Sequence, residues 1–261
     1  MSVLWFVVFV TVLVGYLLLE GAVIGVGAAL PLLGRSAAAR RRIVSRIGPV
    51  MLFSEVWLVA VGGLLFGLYP YVEGEVLSAL YPLVLALLTC WVVRDAGVWF
   101  RARGTTDRWR LGCDAMVCAG SLGLAASWSL VLGALFSGLS GPLVTAAGLV
   151  LVPVVVAVFA AYGVGVSAHL LRVPESRELV RRHAWAGQMY PMAVLLAVAA
   201  VTALAPATSH LLANTSSPES LLLLTVFALP CYTAVVAVQW WGLRWMARNM
   251  ERAETVRRSF F

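Results

Sequence analysis

All nineteen basic side chains of this 261-residue chain are arginines, and they fall in four short segments: Arg35 to Arg46, Arg94 to Arg110, Arg172 to Arg182, and Arg244 to Arg258. The stretches between them, around Tyr69–Leu77, Ser137–Pro142 and Pro206–Ser220, hold no basic residue. Basic residues flanking membrane spans stay on the cytoplasmic side. The alternation therefore predicts a polytopic membrane protein with arginine-rich links inside and bare loops outside. A span needs about 20 mostly apolar residues. Seven stretches qualify, at roughly 3–33, 48–69, 76–98, 113–137, 143–170, 187–206 and 219–245. Backbone groups in lipid must pair within their own segment, so every span is expected to be a helix. The expectation is an all-α fold of about seven transmembrane helices, with the N-terminus outside and the C-terminus inside.

Composition agrees. Only 12% of the residues are charged, against roughly a quarter in soluble domains. The net charge of +7 is the sum of the inner links, which sit near anionic head groups, and calls for no nucleic acid. The four cysteines, Cys90, Cys113, Cys118 and Cys231, form no CxxC and read as small apolar residues. The first span lacks a basic n-region and is too long for a signal-peptide h-region. Gly21 and Gly25 are spaced for close helix contact, and packing within the chain is the simplest use of them. The ten tryptophans, Trp109, Trp240, Trp241 and Trp245 among them, gather near span ends as an interfacial belt.

Two carboxylates do not belong in lipid. Glu20 stands fifteen residues before Arg35, about 22 Å in at the helical rise. Glu55 stands nine residues past Arg46, about 13 Å in. A charged carboxylate at such depth costs roughly 2.5–3.5 kcal/mol on insertion scales, so each must be protonated, paired or wet. No basic residue is expected at matching depth, which leaves another subunit, water or protonation as the partner. Both are candidates for a proton path; the structural alternative is a protonated Glu bonded to a neighbouring helix. Arg94 and Asp95 are expected at the inner end of the third span and Asp114 at the inner end of the fourth. There they would form interfacial ion pairs with Arg101 or with each other. His169, His183 and His210 lie at span ends or in loops, so no imidazole is placed to hold a haem within the bundle. Nor does the chain carry a Walker loop, a nucleophile elbow or an HExxH, and no catalytic or metal-binding residues are expected.

The run from Gly15 through Glu20, Gly21 and Gly25 to Gly27 resembles subunit II of the cytochrome bd quinol oxidases, whose members read GFxxTDGFDxGVG there. The resemblance continues through Leu30, Pro31, Gly34 and Arg35 to Ile47, Gly48 and Pro49. It then covers Val56, Trp57, Gly62, Gly63, Leu65, Phe66, Tyr69 and Pro70, followed by Arg94, Gly97, Asp114, Gly120 and Ser121. Beyond about residue 140 it is looser, with Thr215 to Leu221, Pro230, Tyr232 and Trp240 or Trp241 matching the last helix. Members of the family are longer, with nine helices in two four-helix bundles and one peripheral helix. The resemblance thus implies a first four-helix bundle over 1–140 and a shortened second bundle of about three helices over 141–261. Two helices would be missing near Arg182–Pro191. The family's second aspartate in the first helix is Val23 here, and its WDGN is Met51, Leu52, Phe53 and Ser54, so that tryptophan and aspartate are both gone. Glu55 follows at once, near the same helix face.

The resemblance implies a haem-free chain of the bacterial cytoplasmic membrane, in contact with lipid. Its partner would be a subunit I that carries b- and d-type haems and oxidises quinol. Glu20 would line a proton path, Glu55 would replace the lost carrier, and Trp57 and Arg94 would pack or pin the bundle. The alternatives are a non-catalytic paralogue and a small proton-coupled transporter that titrates Glu20 and Glu55.

Overall fold

The computed structural model describes residues 2–136, 142–183 and 188–259, with residue 243 and those past Trp245 described by backbone alone. Among the described residues the regular structure is helical, and seven helices are long and apolar enough to cross a membrane. The count matches the expectation from charge and hydropathy. The proposed break between Arg182 and Pro191 includes residues 184–187, which lie outside the described residues, as does most of the bare loop Ser137–Pro142.

The first span is α1 (Ser2–Ala28), apolar on all sides and continued by a short turn of helix, α2 (Leu30–Leu33). Ser36 caps α3 (Ala37–Leu68) by accepting from the Ala39 amide at 3.1 Å, which starts the helix before its arginines. Tyr69–Leu77, expected as a loop, is instead mostly helix α4 (Pro70–Ala79). The reason is local: Pro70 sits at the first helical position, where its fixed φ suits a helix and its missing N–H costs nothing. Next come α5 (Tyr81–Phe100), α6 (Asp107–Phe136) and α7 (Ala146–His169), the last capped by Thr145 Oγ1 at 2.9 Å from the Gly148 amide. The basic link after α7 holds α8 (Pro174–Arg182), where Glu178 accepts from Arg182 Nε at 2.7 Å, the i,i+4 pair its spacing predicts. Arg182 and Arg181 together hold the Glu178 carboxyl below the usual carboxylate range. The sixth span, α9 (Met189–Leu204), runs through a 3₁₀ turn at Ala205–Ala207 into α10 (Thr208–Ala213).

Residues 2–215 form one compact unit, in which α1 packs on α3, α6, α7 and α9. The α1–α7 crossing is backbone on backbone. A Cβ on Gly25 would stand 1.8 Å from the Phe159 carbonyl oxygen, and one on Gly163 would stand 2.5 Å from the Val26 nitrogen. The Gly21/Gly25 spacing therefore serves packing inside the chain. Residues from 216 onward form a second unit, and its helix α11 (Pro218–Ser259) is continuous over 42 residues. It carries the last span and the fourth arginine segment on one rod about 63 Å long.

Three of the four arginine segments converge on one end of the first unit. Arg40 Nε and Arg101 Nε both donate to Asp114, at 2.7 and 2.5 Å. Arg42 pairs with Glu175 of α8, and Arg46 donates to the Leu171 carbonyl at 2.9 Å. These contacts tie the start of α3 to the turn after α5, to the first turns of α6 and to the chain leaving α7.

Candidate functional site

Glu20 is among the most completely buried residues of the chain, and it is paired from within the chain. Arg94 Nη1 of α5 donates to Glu20 Oε1, and neither side chain has appreciable exposure. Ser54 Oγ of α3 donates to the other oxygen, Oε2, at 2.6 Å. Both expectations for these residues need correction. No basic residue was expected at the depth of Glu20, and Arg94 was expected at the inner surface. In fact α5 continues to Phe100 before it turns. Arg94 is therefore six residues inside the helix end, about 9 Å, while Glu20 is eight residues inside the end of α1. The two run to the same level, and a buried charge at that level is tolerated only with a partner.

The close fit of α5 on α6 makes room for the guanidinium. A Cβ on Gly120 of α6 would come within 2.7 Å of the Arg94 amide nitrogen. With no side chain there, the α5 backbone lies directly against α6, and the Arg94 side chain extends toward α1 and α3. Its Nε donates to Asp95 Oδ1 at 2.8 Å. Its Nη2 is buried and meets no acceptor among the described residues.

Glu55 extends the cluster outward. Its carboxyl lies near that of Asp95 on α5. Glu55 is partly exposed, and its neighbours Leu52 and Val56 on α3 face out of the chain. The cluster therefore runs from a fully buried ion pair, Glu20–Arg94, through Asp95 to a carboxyl at the surface of the unit. Adding Asp95 to the intramembrane carboxylates was beyond the sequence reading, which placed Arg94 and Asp95 together at the boundary; the signal for both is one helical register, set by where α5 ends.

Around this cluster, Tyr16 lies one turn before Glu20 on α1, its ring 6.1 Å from that of Trp128. Trp57 covers Gly15, where a Cβ would stand 2.0 Å from the indole. Asp114, the remaining sequence candidate, belongs to the separate clamp of Arg40 and Arg101 at the arginine-rich end. The Arg101 pairing is the one expected for it, and Arg40 is an additional partner.

An axial donor pointing into the bundle is what a membrane haem requires. His169, His183 and His210 are all exposed, and His210 Nε2 lies 3.0 Å from Glu75. Met51 and Met189 are buried in apolar clusters as filling.

Comparison with known proteins points to one family. The family profile described as cytochrome bd terminal oxidase subunit II matches residues 1–247. Among curated relatives, the cytochrome bd ubiquinol oxidase subunit 2 of Bacillus subtilis is 37% identical over 139 residues, 52% of this chain and 39% of that protein. Cytochrome bd-I ubiquinol oxidase subunit 2 of Escherichia coli is 30% identical over 118 residues, 45% of this chain and 31% of that protein. A probable cytochrome oxidase subunit 2 of Haemophilus influenzae is 29% identical over 135 residues, 52% of this chain and 36% of that protein. The aligned stretches thus cover less than two-fifths of each relative's length. With its seven apolar helices and a family match that runs nearly end to end, the chain belongs to the cytochrome bd terminal oxidase subunit II family.

Proposed function

We propose that this chain acts as subunit II of a bd-type quinol:oxygen oxidoreductase in the bacterial cytoplasmic membrane. It binds no haem itself and packs against a larger subunit I, which carries the b- and d-type haems and oxidises quinol. It supports assembly of that subunit, and its carboxyl cluster passes protons toward it. The half beyond about residue 140 is read as a reduced second bundle. Family membership supports the partnership, and one observation carries the proton route: a run of acidic side chains within the spans, from buried Glu20 through Asp95 to the partly exposed Glu55. The Glu20–Arg94 pair is the fixed charge behind it. Intramembrane carboxyl chains of this kind are the usual material of proton relays.

The test is to isolate the tagged chain with whatever co-purifies and to record the reduced absorption spectrum and quinol-driven oxygen uptake. Bands of b- and d-type haem with a larger chain are expected. Glu55→Gln and Asp95→Asn should each lower turnover roughly tenfold or more, with the haem spectrum and subunit ratio unchanged. Unchanged turnover in both variants would contradict the proton role and leave a scaffold subunit. A colourless preparation without a partner, but with proton flux in liposomes lost in Glu55→Gln, would identify a small proton-coupled transporter instead.

A further inference from the structure

At the arginine-rich end of the first unit, a groove of about 470 Å³ runs between α2 and α6. One wall is the outward face of α6: Leu111, Ala115, Cys118, Ala119 and Leu122, spaced at helical intervals. The alanines and the cysteine make that wall a shallow apolar channel, with exposed Leu111 and Leu122 at its two ends. At its mouth stand Arg35 and Arg40. Arg40 is held in place by Nε on Asp114 and by Nη1 on the Gly34 carbonyl at 2.8 Å. Its Cγ lies where a Cβ on residue 34 would be, 2.2 Å away, so Gly34 is what lets the arginine fold back over the end of α2. Arg35 is exposed, and no hydrogen bond or ion pair to it is found among the described residues. It also borders a second groove against α8, shared with Arg42 and Arg182.

We infer that this groove binds one anionic phospholipid, with its phosphate at Arg35 and Arg40 and an acyl chain along α6. The argument is charge complementarity joined to geometry. At the mouth Arg35 and Arg40 face a single carboxylate, Asp114, which the buried Arg101 also pairs, so the mouth keeps a net positive charge. Arg40 is fixed by bonds inside the protein, so the site needs little ordering when a phosphate arrives. Arginine presents planar donors suited to phosphate oxygens. The mouth lies at the end where the arginine segments gather, the level at which head groups meet a span, and the channel runs from there along an apolar helix face. A soluble anion would use the two arginines and leave the channel unoccupied; a phospholipid uses both.

The experiment uses the full chain, with any partner it carries, delipidated in detergent and titrated by native mass spectrometry. The probes are phosphatidylglycerol and phosphatidylcholine with the same acyl chains, and glycerol phosphate as a soluble competitor. One phosphatidylglycerol should bind in preference to phosphatidylcholine. Arg35→Gln should weaken it roughly fivefold, the equivalent of the ~1 kcal/mol that one basic residue contributes at an anionic surface. Ala119→Trp, which fills the channel without changing charge, should abolish it, and glycerol phosphate should not displace it. Equal binding of the two lipids, or phosphatidylglycerol binding unaltered in both variants, would overturn the proposal. Full displacement by glycerol phosphate would reduce the site to a soluble-anion site and overturn it as well. Circular dichroism of both variants checks that they fold.

Discussion

Removing the carboxylate or the guanidinium from the Glu20–Arg94 pair has unequal consequences. Arg94 has no exposed surface, and Glu20 and Asp95 are its acceptors. Arg94→Leu strands a buried carboxylate, and breaking such a pair costs about 3–5 kcal/mol. Glu20→Gln keeps an acceptor for Ser54 and leaves Arg94 bonded to Asp95, so it should cost less. The expected order in detergent-denaturation midpoints is wild type, Glu20→Gln, then Arg94→Leu well below; a smaller loss for Arg94→Leu than for Glu20→Gln would mean the pair is not what holds the site. That Glu20 lies well inside a span was legible from its distance to Arg35, because helical rise is nearly constant. The partner was not. It depended on where α5 ends, and nothing local marks that end: Arg94, Gly97 and Phe100 are compatible with a helix stopping at any of them.

At the scale of elements, the α1–α7 crossing is a contact of backbone on backbone. A side chain at residue 25 meets the Phe159 carbonyl and the Gly163 backbone, neither of which can rotate away. Gly25→Ala should therefore push the helices apart and cost about 1–3 kcal/mol, as overpacking does. Gly62→Ala is the control, because nothing lies within 4 Å of a Cβ there. A helix propensity gain without a clash should leave Gly62→Ala neutral or slightly stabilising. Thermal unfolding of the two variants side by side measures the difference, and equal midpoints would show that the crossing can open at no cost. The small-residue spacing on α1 announced a close contact in the sequence. Which helix would fill it was undetermined, since α7 is more than a hundred residues away and any small-faced helix satisfies the same pattern. The helical character of residues 70–79 was also missed, because charge counting sees only that a segment lacks arginine.

Across the whole molecule, the convergence of Arg40, Arg42, Arg46 and Arg101 on one end of the unit gives the orientation argument a physical object. Glu73 and Glu75 on α4 and His210 on α10 belong to the bare, arginine-free stretches. If the arginine end is cytoplasmic, a cysteine placed at Glu73 should react with an impermeant maleimide in intact cells. One placed at Arg177 should react only after permeabilisation. The reverse pattern would invert the topology.

The sequence by itself determined the number of spans, their helical nature, the family, and the presence of carboxylates that could not stand alone in lipid. These follow from terms that act residue by residue: the transfer cost of charge, the length of a helix against the bilayer, and the need to pair every backbone group. The tertiary structure decided which groups meet. It put Arg94 on Glu20, brought Asp95 near Glu55, brought Arg40 and Arg101 to one carboxylate, and set α1 against α7. Most of those pairings join residues dozens of positions apart, and each rests on helix registers that only packing of one helix on another can set.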